Sequence, residues 1–244
     1  MTKELDIVLS AYRSFRSPIA YVSMPLTTGR RLYDLLQERG LKDMRHVERS
    51  ELVSQVIEPN IAEGIQFAEK LRKREFPPVA PAVFKARDWS QDEYMSLWLQ
   101  LITEKAREIH MSPNWGFSNG CVEEFVRAME MQYGFINTSW GMERFPSDAD
   151  KSKEYLSVRQ IRAYDSEERE LKLDSGALIV VDAIKDLRKR GFDSTKLFAG
   201  LQKLINIGGY FNDSSTSSKE CFEMLDGTAN FDWGSMLKGF KSLN

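Results

Sequence analysis

Two patterns of apolar and polar residues alternate through roughly the first 140 positions of the chain. Short apolar runs predict buried strands at residues 18–25, 79–84, 107–115 and about 134–140. Between these runs, apolar residues recur every three or four positions, which is the spacing of one helix face. The predicted helices span residues 30–39, 57–74, 92–105 and 118–133.

Strands that alternate with helices favour parallel pairing through right-handed crossovers. The chain is therefore expected to have an α/β fold, with a parallel sheet in a three-layer, Rossmann-like (flavodoxin-like) arrangement. In sheets of this kind, ligands bind beyond the carboxyl ends of the strands. The loops after the first and third strands are thus the first candidates for a functional site.

The pattern changes beyond about residue 144. Residues 146–153 are typical of a polar linker, and residues 171–189 and 194–207 predict two amphipathic helices, followed by a polar stretch at 212–219. We expect an α/β domain over residues 1–145 and a mainly helical C-terminal extension over residues 146–244. The apolar side chains near the end are expected to cover that domain or a second copy of it, with a foreign partner as the alternative. These side chains are Phe231, Trp233, Leu237 and Phe240.

Composition and charge narrow the class of protein. Of the 244 residues, 42% are hydrophobic and 29% are charged, which is sufficient for a globular core. The formal net charge of -2 gives no overall attraction to nucleic acid or to an anionic membrane, so neither is an expected partner. No apolar run approaches the ~20 residues that span a bilayer, and the N-terminus lacks the apolar core of a secretory signal. A cytoplasmic protein is expected.

Cysteine and histidine are too few and too scattered for a disulfide framework or a metal site. The cysteines are Cys121 and Cys221, the histidines are His46 and His110, and none of the short zinc-ligand spacings occurs. His110, on the third predicted strand, is expected to be a core residue. We therefore expect no metal or redox cofactor.

The helix after the third strand begins with residues suited to an anion. Ser118, Asn119 and Gly120 form a Ser-x-Gly turn at the helix start. Such a turn presents free backbone N–H groups and the positive end of the helix dipole. Glu124 lies about one turn further along, where a carboxylate could act on a ligand held by the turn.

Helical geometry separates the two adjacent carboxylates of this helix. At about 100° per residue, Glu123 falls on a polar stripe with Arg127 and Glu130, and it is expected to be solvated. Glu124 falls among small or apolar residues and is expected to face protein or a pocket. Burial would raise its pKa and the helix start would lower it, which makes Glu124 a candidate nucleophile. The alternative is an acid that only complements the helix dipole.

The first strand and its loop carry hydroxyl groups, a glycine and a cation at the expected ligand-binding edge. These residues are Tyr21, Ser23, Thr27, Thr28, Gly29 and Arg30. The loop suits an anion, although it has neither the Gly-x-x-x-x-Gly-Lys pattern of a phosphate loop nor the Gly-x-Gly-x-x-Gly pattern of a dinucleotide site.

Together, the loop at residues 21–30 and the spacing Ser118-x-Gly120-x-x-x-Glu124 resemble the nucleoside 2-deoxyribosyltransferase superfamily, and in particular its nucleoside 5′-monophosphate N-glycosidase branch. The resemblance covers roughly residues 18–140. It implies that Glu124 attacks the anomeric carbon, that Ser118 helps to hold the 5′-phosphate, and that Gly29 and Arg30 line the pocket. A serine in place of the transferases' aspartate implies a nucleotide rather than a nucleoside. The family also implies a homodimer or a higher homo-oligomer.

The resemblance implies an aspartate that protonates the departing base. Asp92, just before the helix that precedes the third strand, is the nearest match, and Asp88 is the rival. The first loop departs from the family pattern, with Pro25 and a Thr-Thr pair where the hydrolases have serine, arginine and glycine. One phosphate-binding arginine is therefore absent or supplied elsewhere.

Two classes of function remain open on these residues. The first is cleavage or base exchange at the N-glycosidic bond of a nucleoside 5′-monophosphate, with Trp115 as the candidate surface for stacking the base. The second is a non-catalytic nucleotide-binding or sensor module that uses the same cleft. A purely structural alternative leaves the Ser-x-Gly turn empty.

Overall fold

Four parallel strands form the sheet around which the described part of the chain is built. A computed structural model of the protein describes residues 3–86, 89–133, 135–138, 141–144 and 161–210. In sheet order the strands are β2 (Pro78–Val79), β1 (Ile19–Ser23), β3 (Ala106–Met111) and β6 (Arg162–Tyr164). All three pairings are parallel. The predicted α/β class and parallel sheet are confirmed, and they are compatible with a Rossmann-like fold.

Helices make up most of the remaining described structure. They are α1 (Lys3–Ser14), α2 (Arg30–Glu38), α3 (Arg49–Leu52), α4 (Glu58–Leu71), α5 (Gln91–Lys105), α6 (Asn119–Gln132), α7 (Leu173–Lys189) and α8 (Thr195–Tyr210). A π-helical turn at Val53–Ile57 joins α3 to α4. The predictions omit α1, which buries Leu5 and Leu9. Among the described helices, none is long and apolar enough to cross a membrane.

The second predicted strand is much shorter than expected. Residues 79–84 contribute only the end of β2, and a 3-10 turn follows at Pro81–Val83. Proline has no N–H to donate to a strand ladder, so Pro78 and Pro81 limit the pairing on this side of β1. The third predicted strand likewise ends early, at Met111.

The fourth predicted strand, near residues 134–140, is wrong as a member of the parallel sheet. β4 (Phe135–Thr138) pairs antiparallel with β5 (Gly141–Arg144) in a separate two-stranded sheet. Strands joined by a short connection pair locally, whereas a parallel partner needs a long crossover. The fourth parallel strand is β6, which pairs with β3.

Side chains that alternate along β1 enter two different apolar clusters. Tyr21 is fully buried and its ring lies 6.2 Å from that of Trp98 on α5. Val22, which points to the other face, packs with Phe67 and Leu71 of α4. Successive strand residues point to opposite faces, so β1 is covered by helices on both sides.

α6 is buried on more of its surface than the sequence predicts. Glu123 is exposed, as expected, but Glu130 is only 1% exposed although it was assigned to the same polar stripe. α8 packs against α6, and Lys203 of α8 acts electrostatically on the Glu130 carboxylate. Arg127 lies 3.4 Å from the Glu130 carboxylate and compensates part of the charge.

Residues beyond the expected domain boundary at 145 join the same packed unit. β6 pairs with β3, and α7 packs on α6 so closely that a Cβ at Gly176 would lie 2.2 Å from the Phe125 ring. The division of the chain at residue 145 stays a prediction. The expected linker, the polar stretch at 212–219 and the four terminal apolar residues lie outside the described residues.

Candidate active site

Glu124 lies in the second turn of α6 with its carboxylate against β1. Tyr21 Oη donates to Oε1 over 2.6 Å, and Ser23 Oγ donates to Oε2 over 2.6 Å. Glu124 is 4% exposed, and both hydroxyl-bearing residues are fully buried. Tyr21 and Ser23 are two residues apart on a strand, so they point to the same face and each reaches one carboxylate oxygen.

Burial dominates the electrostatics of this carboxylate. It raises the pKa of Glu124 to about 7, although the hydrogen bonds from Ser23 and Tyr21 favour the ionised form. Burial and the neighbouring carboxylate raise the pKa of Tyr21 well above its usual range, so Tyr21 remains a donor. The Cys121 thiol is also buried, which raises its pKa to about 12 and keeps it neutral. Near neutral pH, Glu124 therefore exists in both ionisation states.

The helix start and the first loop meet through two hydroxyl groups. Ser118 is the N-cap of α6, and its Oγ accepts from the Cys121 N–H over 3.5 Å. The same Oγ lies 3.0 Å from Thr28 Oγ1, at hydrogen-bond distance. The structure thus brings together two segments that the sequence analysis placed at one ligand-binding edge. Asn119 and Gly120 continue the turn, both half-buried.

The first loop is shaped by a glycine that no other residue could replace without strain. Gly29 caps α2 with φ at +94°, and a Cβ there would lie 2.8 Å from the Pro25 Cβ. Asn60 of α4 fixes the loop from the other side, because its amide donates to the carbonyl oxygens of Leu26 (3.0 Å) and Thr28 (3.2 Å). Asn60 was not predicted as a site residue, because its only sequence signal is an amide within an amphipathic helix, and its burial is visible only in the structure.

The cations after this loop are partly paired. Arg30 is exposed, lies 3.9 Å from Asp34 and places its guanidinium 5.7 Å from the centre of the Phe117 ring. Arg31 donates to Asn60 and to Glu63. Thr27 is half-buried within the loop. Arg30 is therefore the more available cation at this edge.

Of the two candidate proton donors, Asp92 lies within the described residues and Asp88 does not. Asp92 is exposed in the first turn of α5, and no hydrogen bond joins it to Glu124 among the described residues. One turn later, Met95 faces the start of α6, where a Cβ at Gly120 would lie 3.4 Å from its sulfur. Residues three apart share a helix face, so Asp92 extends along the side of α5 that faces the Ser-x-Gly turn. Asp88 lies outside the described residues.

Trp115 is enclosed by protein. It is 3% exposed, and its ring centre lies 4.8 Å from that of Phe125 in the main core. A base cannot stack on a ring whose faces are covered by side chains. Trp115 is therefore not available as a surface on which a base stacks.

An open cavity lies at the carboxyl ends of β1 and β3. It is lined by Met24 and Pro25 after β1, by Ser112, Pro113 and Asn114 after β3, and by residues of α2 and α4. Because β2 and β3 flank β1 on opposite sides, this is the switch point where parallel sheets bind ligands. Glu124 is not among the lining residues. Ser23 contacts Glu124, whereas the next residue, Met24, lines the cavity.

Neither a cluster of metal ligands in the described part of the chain nor a known relative identifies the site. Within the described ranges, no group of three or more His, Cys, Asp or Glu side chains could hold a metal ion. The chain matches no protein-family model, no curated protein and no solved structure. The resemblance to the deoxyribosyltransferase superfamily therefore stays a prediction from the residues.

Proposed function

We propose that the protein cleaves or exchanges the N-glycosidic bond of a nucleoside 5′-monophosphate on a three-layer, Rossmann-like domain, with Glu124 as the nucleophile. The observation that carries this proposal is the pair of 2.6 Å hydrogen bonds that aim a buried carboxylate toward the end of β1. The Thr28–Ser118 contact lies at the same edge. A carboxylate for the sugar and a turn for the phosphate are thus held by neighbouring elements.

The reaction proceeds by displacement at the anomeric carbon. The ionised Glu124 attacks that carbon, the bond to the base nitrogen breaks, and the base leaves with a proton from an acid, for which Asp92 is the candidate. The resulting glycosyl ester is resolved by water in a hydrolase or by a second base in a transferase. Glu124 leaves as a carboxylate in either case, which closes the cycle.

Tyr21 and Ser23 position the nucleophile. Both hydroxyl groups donate to the carboxylate, so they stabilise its ionised form and fix the plane of its two oxygens. A carboxylate with a pKa of about 7 is also more basic than an ordinary glutamate, which favours attack on carbon.

The phosphate is proposed to lie at the N-terminus of α6. Ser118 Oγ, Thr28 Oγ1 and the first backbone N–H groups of the helix supply donors, and the helix dipole favours a negative group there. Arg30 lies exposed beside this edge and adds a positive charge. A 5′-phosphate at this position would place the sugar toward Glu124.

Release of free base tests the proposal directly. Purified protein is incubated with a panel of ribo- and deoxyribonucleoside monophosphates, and the products are separated by chromatography. We expect at least one nucleotide to lose its base, and we expect Glu124→Gln to reduce the rate by at least about 100-fold, as for loss of a covalent nucleophile. Glu123→Gln is the matched control, because Glu123 is exposed on the same helix.

The burial of Glu124 also supports a second candidate, a non-catalytic nucleotide-binding or sensor module. A carboxylate that is 4% exposed and bonded at both oxygens is already satisfied by protein. This candidate predicts nucleotide binding without release of base, with equal affinity in the wild type and in Glu124→Gln. The chromatographic assay combined with a binding titration separates the two functions.

A further inference from the structure

Asn60 is a buried residue whose amide nitrogen is fully used in holding the first loop. It is 6% exposed, and the nitrogen donates to the carbonyl oxygens of Leu26 and Thr28 over 3.0 and 3.2 Å. The amide oxygen accepts from Arg31 Nη1 over 2.9 Å. An amide nitrogen carries two hydrogens, so one goes to each carbonyl. Asn60 therefore holds the loop at two points, one on each side of residue 27.

The orientation of this amide is set by Arg31. Backbone carbonyls only accept and a guanidinium only donates, so the amide nitrogen faces the loop and the amide oxygen faces Arg31. Arg31 lies in the first turn of α2 and also donates to Glu63. Residues 60 and 63 are three apart on α4 and share one face of that helix. One guanidinium thus bridges both side chains and keeps the amide from turning over.

The helix that carries Asn60 does not explain an asparagine at this position. α4 continues directly from the π-helical turn at Val53–Ile57, so Asn60 lies within a helical segment. Asparagine is unfavourable there, because its side chain competes for backbone groups and adds no apolar surface. The backbone groups that Asn60 binds belong instead to a segment 32 and 34 residues away. The loop that it holds accounts for the residue.

The end of this loop carries the hydroxyl that reaches the start of α6. Thr28 has its carbonyl on Asn60, while its Oγ1 lies 3.0 Å from the Oγ of Ser118, the N-cap of α6. Gly29 follows at once with φ at +94° and leads the backbone into α2. A fixed carbonyl before this turn and a glycine-specific conformation within it restrict the Thr28 side chain. The position of its hydroxyl therefore depends on Asn60.

Glu124 is held by other elements. Its two carboxylate oxygens accept from Tyr21 and Ser23, which belong to β1. The hydrogen bonds of Asn60 go to the loop and to α2. A change at Asn60 is thus expected to alter the turn and to leave the carboxylate in place.

From these contacts we propose that Asn60 is a positioning residue for the anion-binding turn, and that Arg31 acts through it by fixing the direction of its amide. The proposal rests on the proposed function, in which a phosphate lies at the N-terminus of α6. Asn60 places the Thr28 hydroxyl, and the hydroxyls of Thr28 and Ser118 bind the phosphate oxygens. A loop ordered in advance lowers the entropic cost of binding. Asn60 therefore contributes to affinity rather than to the chemical step.

Titration of the full chain with inorganic phosphate tests the proposal. Backbone amide signals of Ser118, Asn119 and Gly120, followed by NMR, give the dissociation constant. Asn60→Asp keeps the shape and removes both donors, whereas Asn60→Leu removes them without adding a charge. Both are expected to weaken phosphate binding by at least about fivefold, the effect of about one net hydrogen bond. A merely structural role would lower the unfolding temperature and leave the affinity of the folded protein unchanged.

Two arginine variants test the role of the guanidinium. Arg31→Lys keeps the charge but cannot bridge Asn60 and Glu63 with one planar group, so a loss of about threefold in phosphate affinity is expected. Arg39→Gln is the matched control, because Arg39 lies at the other end of α2 and pairs with Glu51 at the surface. Its affinity should equal that of the wild type. Arg31 is exposed, so this pair decides the matter even if the Asn60 variants do not fold.

Three results would overturn the proposal. The first is unaltered affinity in both Asn60 variants, or in Arg31→Lys where those do not fold. The second is weaker binding in Asn60→Asp alone, which would assign the effect to the added negative charge. The third is a wild-type protein whose turn binds no phosphate.

The base-release assay on the same variants keeps this proposal distinct from the glycosidase function. With an active wild type, both Asn60 variants should raise KM for the nucleotide by at least about fivefold and keep kcat within about twofold. An unaltered KM in both contradicts the positioning role alone. Phosphate binding that weakens in both variants, together with a wild type that releases no base, contradicts the glycosidase function alone.

Discussion

At the residue scale, Glu124 determines the electrostatics of the site, because a buried carboxylate is held at a position where ionisation is costly. Its pKa of about 7 lies above the usual 4.5 of a glutamate. A folded-state pKa above the unfolded one means that the favourable contribution is complete below pH 4.5 and is lost as the pH rises to 7. Glu124 therefore opposes folding at alkaline pH.

The stability of the protein is expected to depend on pH through the ionisation of Glu124. Ionisation of Glu124 is expected to lower the free energy of unfolding by about 3 kcal/mol between pH 4.5 and pH 8, given the difference between its folded and unfolded pKa values. Glu124→Gln carries no such ionisation and should gain stability relative to the wild type as the pH is raised. Urea unfolding at pH 5 and at pH 8 measures the difference. An equal response of Glu123→Gln and Glu124→Gln to pH would show that Glu124 is not the source.

Activity is expected to respond to pH in the opposite direction. A nucleophile must be ionised, so kcat/KM for base release should rise through a pH of about 7 as Glu124 loses its proton. Tyr21→Phe removes one donor to the carboxylate and should move this rise to higher pH. Initial rates between pH 5.5 and 8.5 provide the measurement. A flat profile in this range would contradict an ionised Glu124 as the attacking group.

At the scale of single elements, the first loop depends on the conformation of one glycine. Gly29 has φ at +94° and ψ at 179°, a region essentially reserved for glycine, and Pro25 crowds the place of a Cβ. Gly40 also has a positive φ, at +65°, but an added Cβ there meets no heavy atom within 4 Å. Gly29 therefore combines a more strained backbone conformation with crowding, whereas Gly40 has only the milder strain of a left-handed residue.

Gly29→Ala is expected to destabilise the fold by at least about 1 kcal/mol more than Gly40→Ala. The reason is that Gly40→Ala incurs only the strain of a left-handed alanine, whereas Gly29→Ala incurs the greater strain of a glycine-only backbone conformation and also an overlap with Pro25. Equilibrium unfolding of both variants checks the difference. Equal losses in the two proteins would contradict the prediction, because they would mean that neither the backbone conformation of Gly29 nor its overlap with Pro25 adds to the cost.

The elements with a clear pattern could be predicted from the sequence, and those set by distant contacts could not. β1 is apolar except for its last residue, Ser23, and α5 begins with a capping box between Ser90 and Glu93 that sets its first residue. β6, only three residues long and containing Arg162, has no periodic signal. Its identity as a strand depends on pairing with β3, which no local pattern encodes.

In the candidate site too, local patterns could be predicted from the sequence, whereas contacts between elements could not. Helical geometry alone predicts that Glu124 faces protein, and the structure confirms its burial. Spacing along one helix does not reveal which side chains come from other elements, so the role of Asn60 in fixing the first loop could not be predicted. Burial of Trp115 also depends on Phe125 and on the approach of α7, where Ile179 lies against Gly116. These contacts arise only when α6 and α7 are packed together.

At the scale of the whole molecule, segments from both ends of the described chain meet in one core. Leu5 of α1, Phe125 of α6 and Ile207 of α8 belong to the same apolar cluster. Elements that share one core are expected to unfold together. The position of β6 within the sheet strengthens this expectation, because β6 lies beyond residue 145.

A single cooperative transition is therefore expected for the described part of the protein. Far-ultraviolet circular dichroism reports the helices, and fluorescence reports the five tryptophans, of which Trp98 and Trp115 are buried and lie N-terminal to residue 145. The two signals should give the same urea midpoint. Midpoints that differ clearly would indicate that α7 and α8 unfold separately from the sheet.

The contact between Thr28 and Ser118 has a consequence for loading of the site. Their two hydroxyl oxygens lie 3.0 Å apart and share one hydrogen, so one hydroxyl donates and the other accepts. A bound oxyanion would accept a hydrogen bond from each hydroxyl. The hydrogen bond between the two hydroxyls would then be replaced by two stronger, charge-assisted hydrogen bonds to the anion. Anion binding at the turn would thereby break the direct hydrogen bond between the first loop and the start of α6, and it would link both segments through the anion instead.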